Sequence, residues 1–283
     1  MKNKNEILNL LKQNFSPEAG IRILYAAEVG SRAYGYNSVE SDFDVRFVYY
    51  HESPRKYLDL RGHSECLERK CSNNGIITQD MVGYDIKKFL KLLMKANPSI
   101  YEWLTSPQIY YVSPVFYEYV SNIYMLSYKD KKPLFLANNQ TAFSVYNKEI
   151  KKKKSKQIKD YLFVIKCILI CLHILEFPDR NPPIRLTQLL DNLNYILAAG
   201  LNGHVPTYIK ILISARLDGG CHTITNEDIK STLDEFIPHM IDIFDCFVRD
   251  NGKDYFKEHG LTFSDKDKLM RNSNSLLYKL LKL

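Results

Sequence analysis

Asp42 and Asp44 flank Phe43 in a stretch rich in Val, Phe and Tyr, and ten residues separate this pair from Gly30-Ser31. In a strand, side chains alternate between faces, so Asp42 and Asp44 share one surface while Phe43, Val45 and Phe47 point the other way. Two carboxylates held side by side repel each other unless a cation lies between them. Hard divalent ions such as Mg²⁺ or Mn²⁺ accept oxygen ligands and use their remaining positions for substrate phosphates. Gly30-Ser31 adds backbone N–H groups suited to a phosphate, more so if it opens a helix. A phosphate turn followed by a carboxylate pair is the outline of a nucleotide-handling site.

Two arginines lie close by in sequence. Arg46 falls on the Asp42/Asp44 face and either pairs with a carboxylate or reaches a phosphate. Arg32 is a phosphate contact or a surface charge. A third carboxylate on another strand would complete a site for two metal ions, one activating a hydroxyl and one steadying pyrophosphate. Asp80 meets that need, because the period of Ile76–Val82 puts it on one face with Thr78 and Val82. Asp85 is the competitor, but its place before I-K-K-F-L-K-L-L explains it fully as a helix cap.

The elements that must position these residues follow from hydrophobic period. Residues 3–15 form an amphipathic helix, 19–27 a buried strand, 28–35 a turn and 43–50 a second strand. A short helix begins after Ser53, residues 62–75 are polar and turn-rich, and Asn73-Asn74-Gly75 marks a tight turn. Strand 76–82 precedes a helix capped by Asp85 that stops at Asn97-Pro98, and 99–104 is a second short helix carrying Trp103. From about residue 110 the pattern is helical, over 114–126, 135–150, 156–175, 184–199, 205–217, 226–249 and 265–282. The expected class is α+β: a small mixed β-sheet domain with flanking helices over 1–125, followed by an all-helical C-terminal domain over 126–283.

Composition narrows the classes further. The chain has 283 residues, a size that suits two domains. No apolar run approaches the ~20 residues of a membrane span, and the N-terminal stretch lacks the apolar centre of a signal peptide. Cys66, Cys71, Cys167, Cys171, Cys221 and Cys246 have neither disulfide nor zinc-site spacing, so they read as free thiols in a reducing, cytoplasmic setting. The net charge of +7 is uneven, with KEIKKKKSKQIK concentrated at Lys148–Lys159. Such a run attracts a nucleic-acid backbone or forms a solvated, exposed segment.

These residues carry a family resemblance. G-S-R-A-Y-G-Y-N-S-V-E-S-D-F-D-V-R-F-V-Y, at 30–49, resembles the nucleotidyltransferase superfamily of DNA polymerase β, and more narrowly the RNA repair pathway DNA polymerase beta family. The similarity continues through G-Y-D-I-K-K-F-L-K-L-L and N-P-S-I-Y-E-W-L-T-S-P, at 83–107. It implies that 1–125 is a nucleotidyltransferase domain in which Asp42, Asp44 and Asp80 are catalytic metal ligands. It further implies that Gly30, Ser31, Arg32 and Arg46 bind a nucleoside triphosphate, with ATP the expected one and Mg²⁺ (or Mn²⁺) as cofactor. The helix K-D-Y-L-F-V-I-K resembles the family's K-x-Y-L-Y-x-L-R, adding Lys159, Tyr161 and Lys166 to the nucleotide side, with lysine where arginine is usual. The reaction so implied moves a nucleoside monophosphate from an NTP to an acceptor hydroxyl, with RNA reached through the lysine-rich segment, and a protein or small molecule as other acceptors. The alternative is a regulatory module that keeps the nucleotide pocket without turnover.

Overall fold

Ile7, Leu11 and Phe15 recur every four residues and form the buried stripe of the first helix, α1 (Lys4–Phe15). The computed structural model describes residues 4–15, 20–73, 76–154, 156–199, 203–219, 222–258, 260 and 262–281. After α1 come β1 (Ile21–Val29), the short α2 (Gly30–Tyr34), β2 (Phe43–His51), α3 (Arg55–Leu58), β3 (Cys66–Asn73) and β4 (Ile76–Asp85). Next are α4 (Ile86–Leu93), α5 (Pro98–Leu104), β5 (Ile109–Val112) and α6 (Pro114–Ser127). The rest is helical: α7 (Lys132–Val145), a π-helix (Tyr146–Lys152), α8 (Ile158–Glu176), α9 (Leu186–Ala199), α10 (Val205–Leu217), α11 (Glu227–Asp250), α12 (Gly252–Glu258) and α13 (Phe263–Leu281). The fold is α+β with a mixed sheet and a helical C-terminal half, as expected.

The strands lie in the order β3-β4-β2-β1-β5. β2 and β4 run parallel, while β1–β2, β1–β5 and β3–β4 are antiparallel. Alternation sends Val45, Phe47 and Tyr49 into one core with Ala26, Met81 and Tyr110, closed by the α1 stripe. On the other face Tyr25 stacks on Phe116 and Tyr84 packs on Trp103, so the helices after β4 cover it. Gly83 sits opposite Phe47 in register, and a Cβ there would come within 2.3 Å of the Phe47 ring. Only glycine lets that ring lie against the backbone.

Two strands depart from the expected pattern. Residues 66–73, read as part of a polar, turn-rich segment, form β3 along the outside of β4. An edge strand leaves polar side chains in water, and Glu68, Arg69 and Lys70 are all exposed, so alternation gives no signal there. Residues 74 and 75 of the expected tight turn lie outside the described residues. β5 was also unforeseen, being four residues long and exposed at three of them. The helix expected over 135–150 instead starts at Lys132 and passes into the π-helix at Tyr146.

The chain divides into two compact units, one of Met1–Gly30, Asp42–Lys129 and Leu261–Leu283, the other of Ser31–Ser41 and Asp130–Gly260. In the first unit α13 packs on α6 and α4, and Lys129 Nζ lies 3.0 Å from Asp265 Oδ2. In the second, α8 is buried along nearly its whole length against α7, α9, α10 and α11. Cys66, Cys71, Cys167, Cys171 and Cys246 are free thiols, and Cys221 lies outside the described residues. Among the described residues no helix is long and apolar enough to cross a membrane.

Candidate active site

Parallel pairing of β2 with β4 sets Asp44 directly opposite Asp80. Both project from the face opposite the α1 core, and both are about one-fifth exposed, at 22% and 19%. Arg46, two residues along on the same face, lies between them. Its Nη2 is 3.0 Å from Asp80 Oδ2 and 3.6 Å from Asp44 Oδ1, and its Nη1 donates to the Asp80 carbonyl at 2.9 Å. The ion pair with a carboxylate, one of its two expected roles, is formed. Asp42 immediately precedes β2 and is half-buried.

Asp80 has one oxygen left over. Its Oδ1 is buried and makes no hydrogen bond. A buried polar atom left unpaired costs about 1–3 kcal/mol, and more when charged, so this oxygen gains most from a cation. The donors available are all carboxylate oxygens, the ligand type that suits Mg²⁺ or Mn²⁺. Asp44 and Asp80, opposite each other in register, thus present oxygens of the kind a hard divalent ion takes, with Arg46 supplying positive charge beside both.

Two further residues fix Asp44, one of which the sequence reading did not single out. Glu28, fully buried at the end of β1, accepts the Asp44 backbone N–H on Oε1 at 2.8 Å. Its Oε2 accepts the hydroxyl of buried Tyr110, and its carbonyl accepts from Ser106 Oγ at 2.6 Å. The other is Gly30, whose φ of +69° belongs to glycine, and a Cβ there would lie 2.1 Å from Asp44 Oδ2. Only a residue without a Cβ fits beside that carboxylate.

Gly30-Ser31 opens α2, and the Ser31 carbonyl accepts from the N–H groups of Gly35 and Tyr36 to end it. Arg32 Nη2 donates to the Ser41 carbonyl at 2.6 Å, bracing the segment that leads to Asp42. Asp85 caps α4 as expected, its Oδ1 accepting from the Lys87 N–H at 2.8 Å.

On α8 the three expected residues part company. Lys159 and Lys166 are seven apart and share a helix face, whereas Tyr161 sits about 200° round from Lys159. Lys159 is exposed; Lys166 is buried, with Nζ 3.8 Å from the Tyr34 ring centre. Tyr161 donates its hydroxyl to Asp234 Oδ1 at 2.7 Å, and burial, then Asp234, drives its pKa far up. Its phenol is spent on packing within the helical unit. In the lysine-rich segment Lys153 pairs with Glu149 and Lys156 with Glu227, while Lys151, Lys152 and Lys154 are exposed.

The family model RlaP, the RNA repair pathway DNA polymerase beta family, matches residues 4–250. "Uncharacterized protein YcgL" of Bacillus subtilis (strain 168) is 31% identical over 192 residues, covering 67% of this chain and 70% of that protein. A nucleotidyltransferase-like protein from Exiguobacterium sibiricum 255-15 has a crystal structure that aligns with a TM-score of 0.26 and 13% identity. That alignment covers 87% of this chain and 91% of the other.

Proposed function

Because the chain belongs to the RNA repair pathway DNA polymerase beta family, we propose that it is a metal-dependent nucleotidyltransferase. It moves a nucleoside monophosphate from an NTP, ATP first among them, to an acceptor hydroxyl and releases pyrophosphate. The observation that carries this reading is the Asp44–Asp80 pair, in register on parallel strands, with a buried Asp80 oxygen that has no hydrogen-bond partner.

Asp42, Asp44 and Asp80 are the residues that would hold Mg²⁺ or Mn²⁺. Such an ion, when bound, supplies charge neutralisation for the triphosphate and acidifies the attacking hydroxyl. Asp80 faces the incoming hydroxyl and takes its proton or orients it. Arg46 offsets the carboxylate repulsion and releases Asp80 Oδ2 as substrate binds. Gly30 and Ser31 give the triphosphate backbone N–H groups. Glu28 and Tyr110 act through Asp44, holding its backbone while its carboxylate changes partners. Most of the rate comes from positioning and charge, as in phosphoryl transfer generally. The family's name favours an RNA acceptor, and the exposed Lys151, Lys152 and Lys154 suit its phosphates.

One observation favours a second reading, a nucleotide-binding module without turnover: Arg46 already neutralises Asp80. The two are separated by incubating the chain with Mg²⁺ or Mn²⁺ and each α-labelled NTP, offering RNA ends, bulk protein and the chain itself. Label transfer that disappears in Asp44→Asn supports the enzyme. Tight NTP binding with transfer to none of these acceptors supports the module.

A further inference from the structure

Three potential metal ligands converge at the other end of β2 from Asp44. They are His51, the last residue of β2; His63, in the loop between α3 and β3; and Asp85, the last residue of β4. One donor atom from each lies within 4.8 Å of the other two. Asp44 and His51 are seven residues apart on one strand, or about 23 Å, so this cluster is separate from the candidate active site.

The hydrogen-bond partners of His63 and Asp85 leave ligand atoms turned towards one another. His63 Nδ1 is 3.1 Å from the Lys56 carbonyl, which can only accept, so Nδ1 is the donor and Nε2 is the nitrogen turned towards the cluster. Metal-binding histidines are oriented in this way, by a carbonyl on the other nitrogen. His63 Nε2 is buried, makes no hydrogen bond, and points towards Asp85 Oδ2 at 3.4 Å. The Asp85 side chain is fully buried. Its Oδ1 receives the Lys87 N–H and its Oδ2 the Tyr57 hydroxyl at 2.8 Å, both neutral donors. The Tyr57 oxygen is set in turn by the His51 backbone N–H at 3.0 Å. The His51 and His63 rings meet edge-on with centres 4.9 Å apart.

We propose that His51, His63 and Asp85 bind one divalent ion of the zinc type. Two imidazole nitrogens and a carboxylate oxygen match Zn²⁺ or Co²⁺ and not the all-oxygen preference of Mg²⁺. Tetrahedral ligands on bonds of ~2.0 Å stand about 3.3 Å apart, so the cluster closes by side-chain rotation, chiefly of His63 on its loop. A cavity of about 550 Å³, lined by Lys56, Tyr57, His63, Cys66, Lys87 and Lys88 among others, opens beside His63. The ion would pin the segment between α3 and β3 to the ends of two sheet strands, making the order of that segment metal-dependent.

Co²⁺ is the probe, added to the chelator-treated full chain while visible absorption is recorded, with Zn²⁺ then used to displace it. The expected result is a saturable spectrum of a nitrogen–oxygen site at about one ion per chain, lacking thiolate charge-transfer bands. His63→Gln weakens binding by at least the roughly 10–100-fold that changes around ligands already cost. Cys66→Ser leaves it unchanged, and Zn²⁺ raises the melting temperature of the wild-type chain but not of His63→Gln. A wild-type chain with no saturable Co²⁺ spectrum, or one with thiolate bands, overturns the proposal whatever the fold of the variant. So does a spectrum that a folded His63→Gln retains at full affinity.

Discussion

Replacing Gly30 by alanine separates backbone strain from damage to the site, because a matched glycine supplies the control. Gly30 and Gly20 both have positive φ, +69° and +56°, and both lie in the sheet-containing unit. A left-handed conformation costs an L-residue roughly 1–2 kcal/mol, so Gly20→Ala and Gly30→Ala share that loss. Nothing lies within 4 Å of a Cβ at Gly20, whereas at Gly30 it meets Asp44 Oδ2 at 2.1 Å. Clearing that overlap means moving the carboxylate by about 1 Å and off its rotamer, a further ~0.5–1.5 kcal/mol. A displacement of this size at a reacting centre lowers the rate by about 100-fold. Urea denaturation gives the stabilities, and label transfer from an α-labelled NTP gives the rates. The expected pattern is two destabilised variants, with Gly30→Ala the worse and alone in losing transfer. Equal stability and equal activity in the two would refute the claim that Gly30 exists to let backbone meet Asp44.

Glu28→Ala strands the Asp44 N–H and the Tyr110 hydroxyl, each at about 1–3 kcal/mol, so a loss of roughly 2–6 kcal/mol in urea denaturation is expected. A loss under about 0.5 kcal/mol, the range of an unremarkable surface change, would remove Glu28 from the account. Arg46→Met leaves Asp44 and Asp80 adjacent without their cation, and its melting temperature is expected to rise with Mg²⁺ by more than that of wild type. An Mg²⁺ response no larger than wild type would show that Arg46 and the ion do not serve the same carboxylates. Burial, with Arg180 and Lys131 nearby, lowers the His173 pKa from 6.5 to about 4. The folded value lies below the unfolded one, so the neutral ring's contribution is complete above pH 6.5 and lost as pH falls towards about 4. His173→Leu is expected to flatten the stability profile over that window, and an unchanged slope would assign it to other groups.

What could be read from sequence was what local spacing encodes. Asp42, Asp44 and Gly30-Ser31 lie within fifteen residues of one another, and period 2, together with the family resemblance, singled out Asp80 on another strand. Asp85 was legible as a cap for the same reason, since its partner is two residues away. Glu28 was not, because its partner hydroxyl belongs to Tyr110, 82 residues on, and a glutamate before Gly-Ser looks like the start of a turn. β3 carries too many exposed charges to alternate visibly, and only pairing with β4 makes it a strand. Helix period revealed α8 and α13 but not their surroundings. It could not say that Tyr161 spends its hydroxyl on Asp234, or that α13 packs on α6 of the sheet-containing unit. The His51–His63–Asp85 cluster was hidden because its members are scattered over 35 positions and the cap already explained one of them.

On the proposed function, Asp42, Asp44 and Asp80 serve transfer of a nucleoside monophosphate. A single-turnover reaction tests it most directly: excess chain, α-labelled ATP, RNA ends as acceptor and Mg²⁺, with label on RNA and pyrophosphate counted together. The expected result is equal amounts of both products, dependence on Mg²⁺, and loss of both in Asp44→Asn and Asp80→Asn while each variant stays folded. Transfer that survives in those variants, or ATP held by the wild-type chain with no pyrophosphate released, would contradict it.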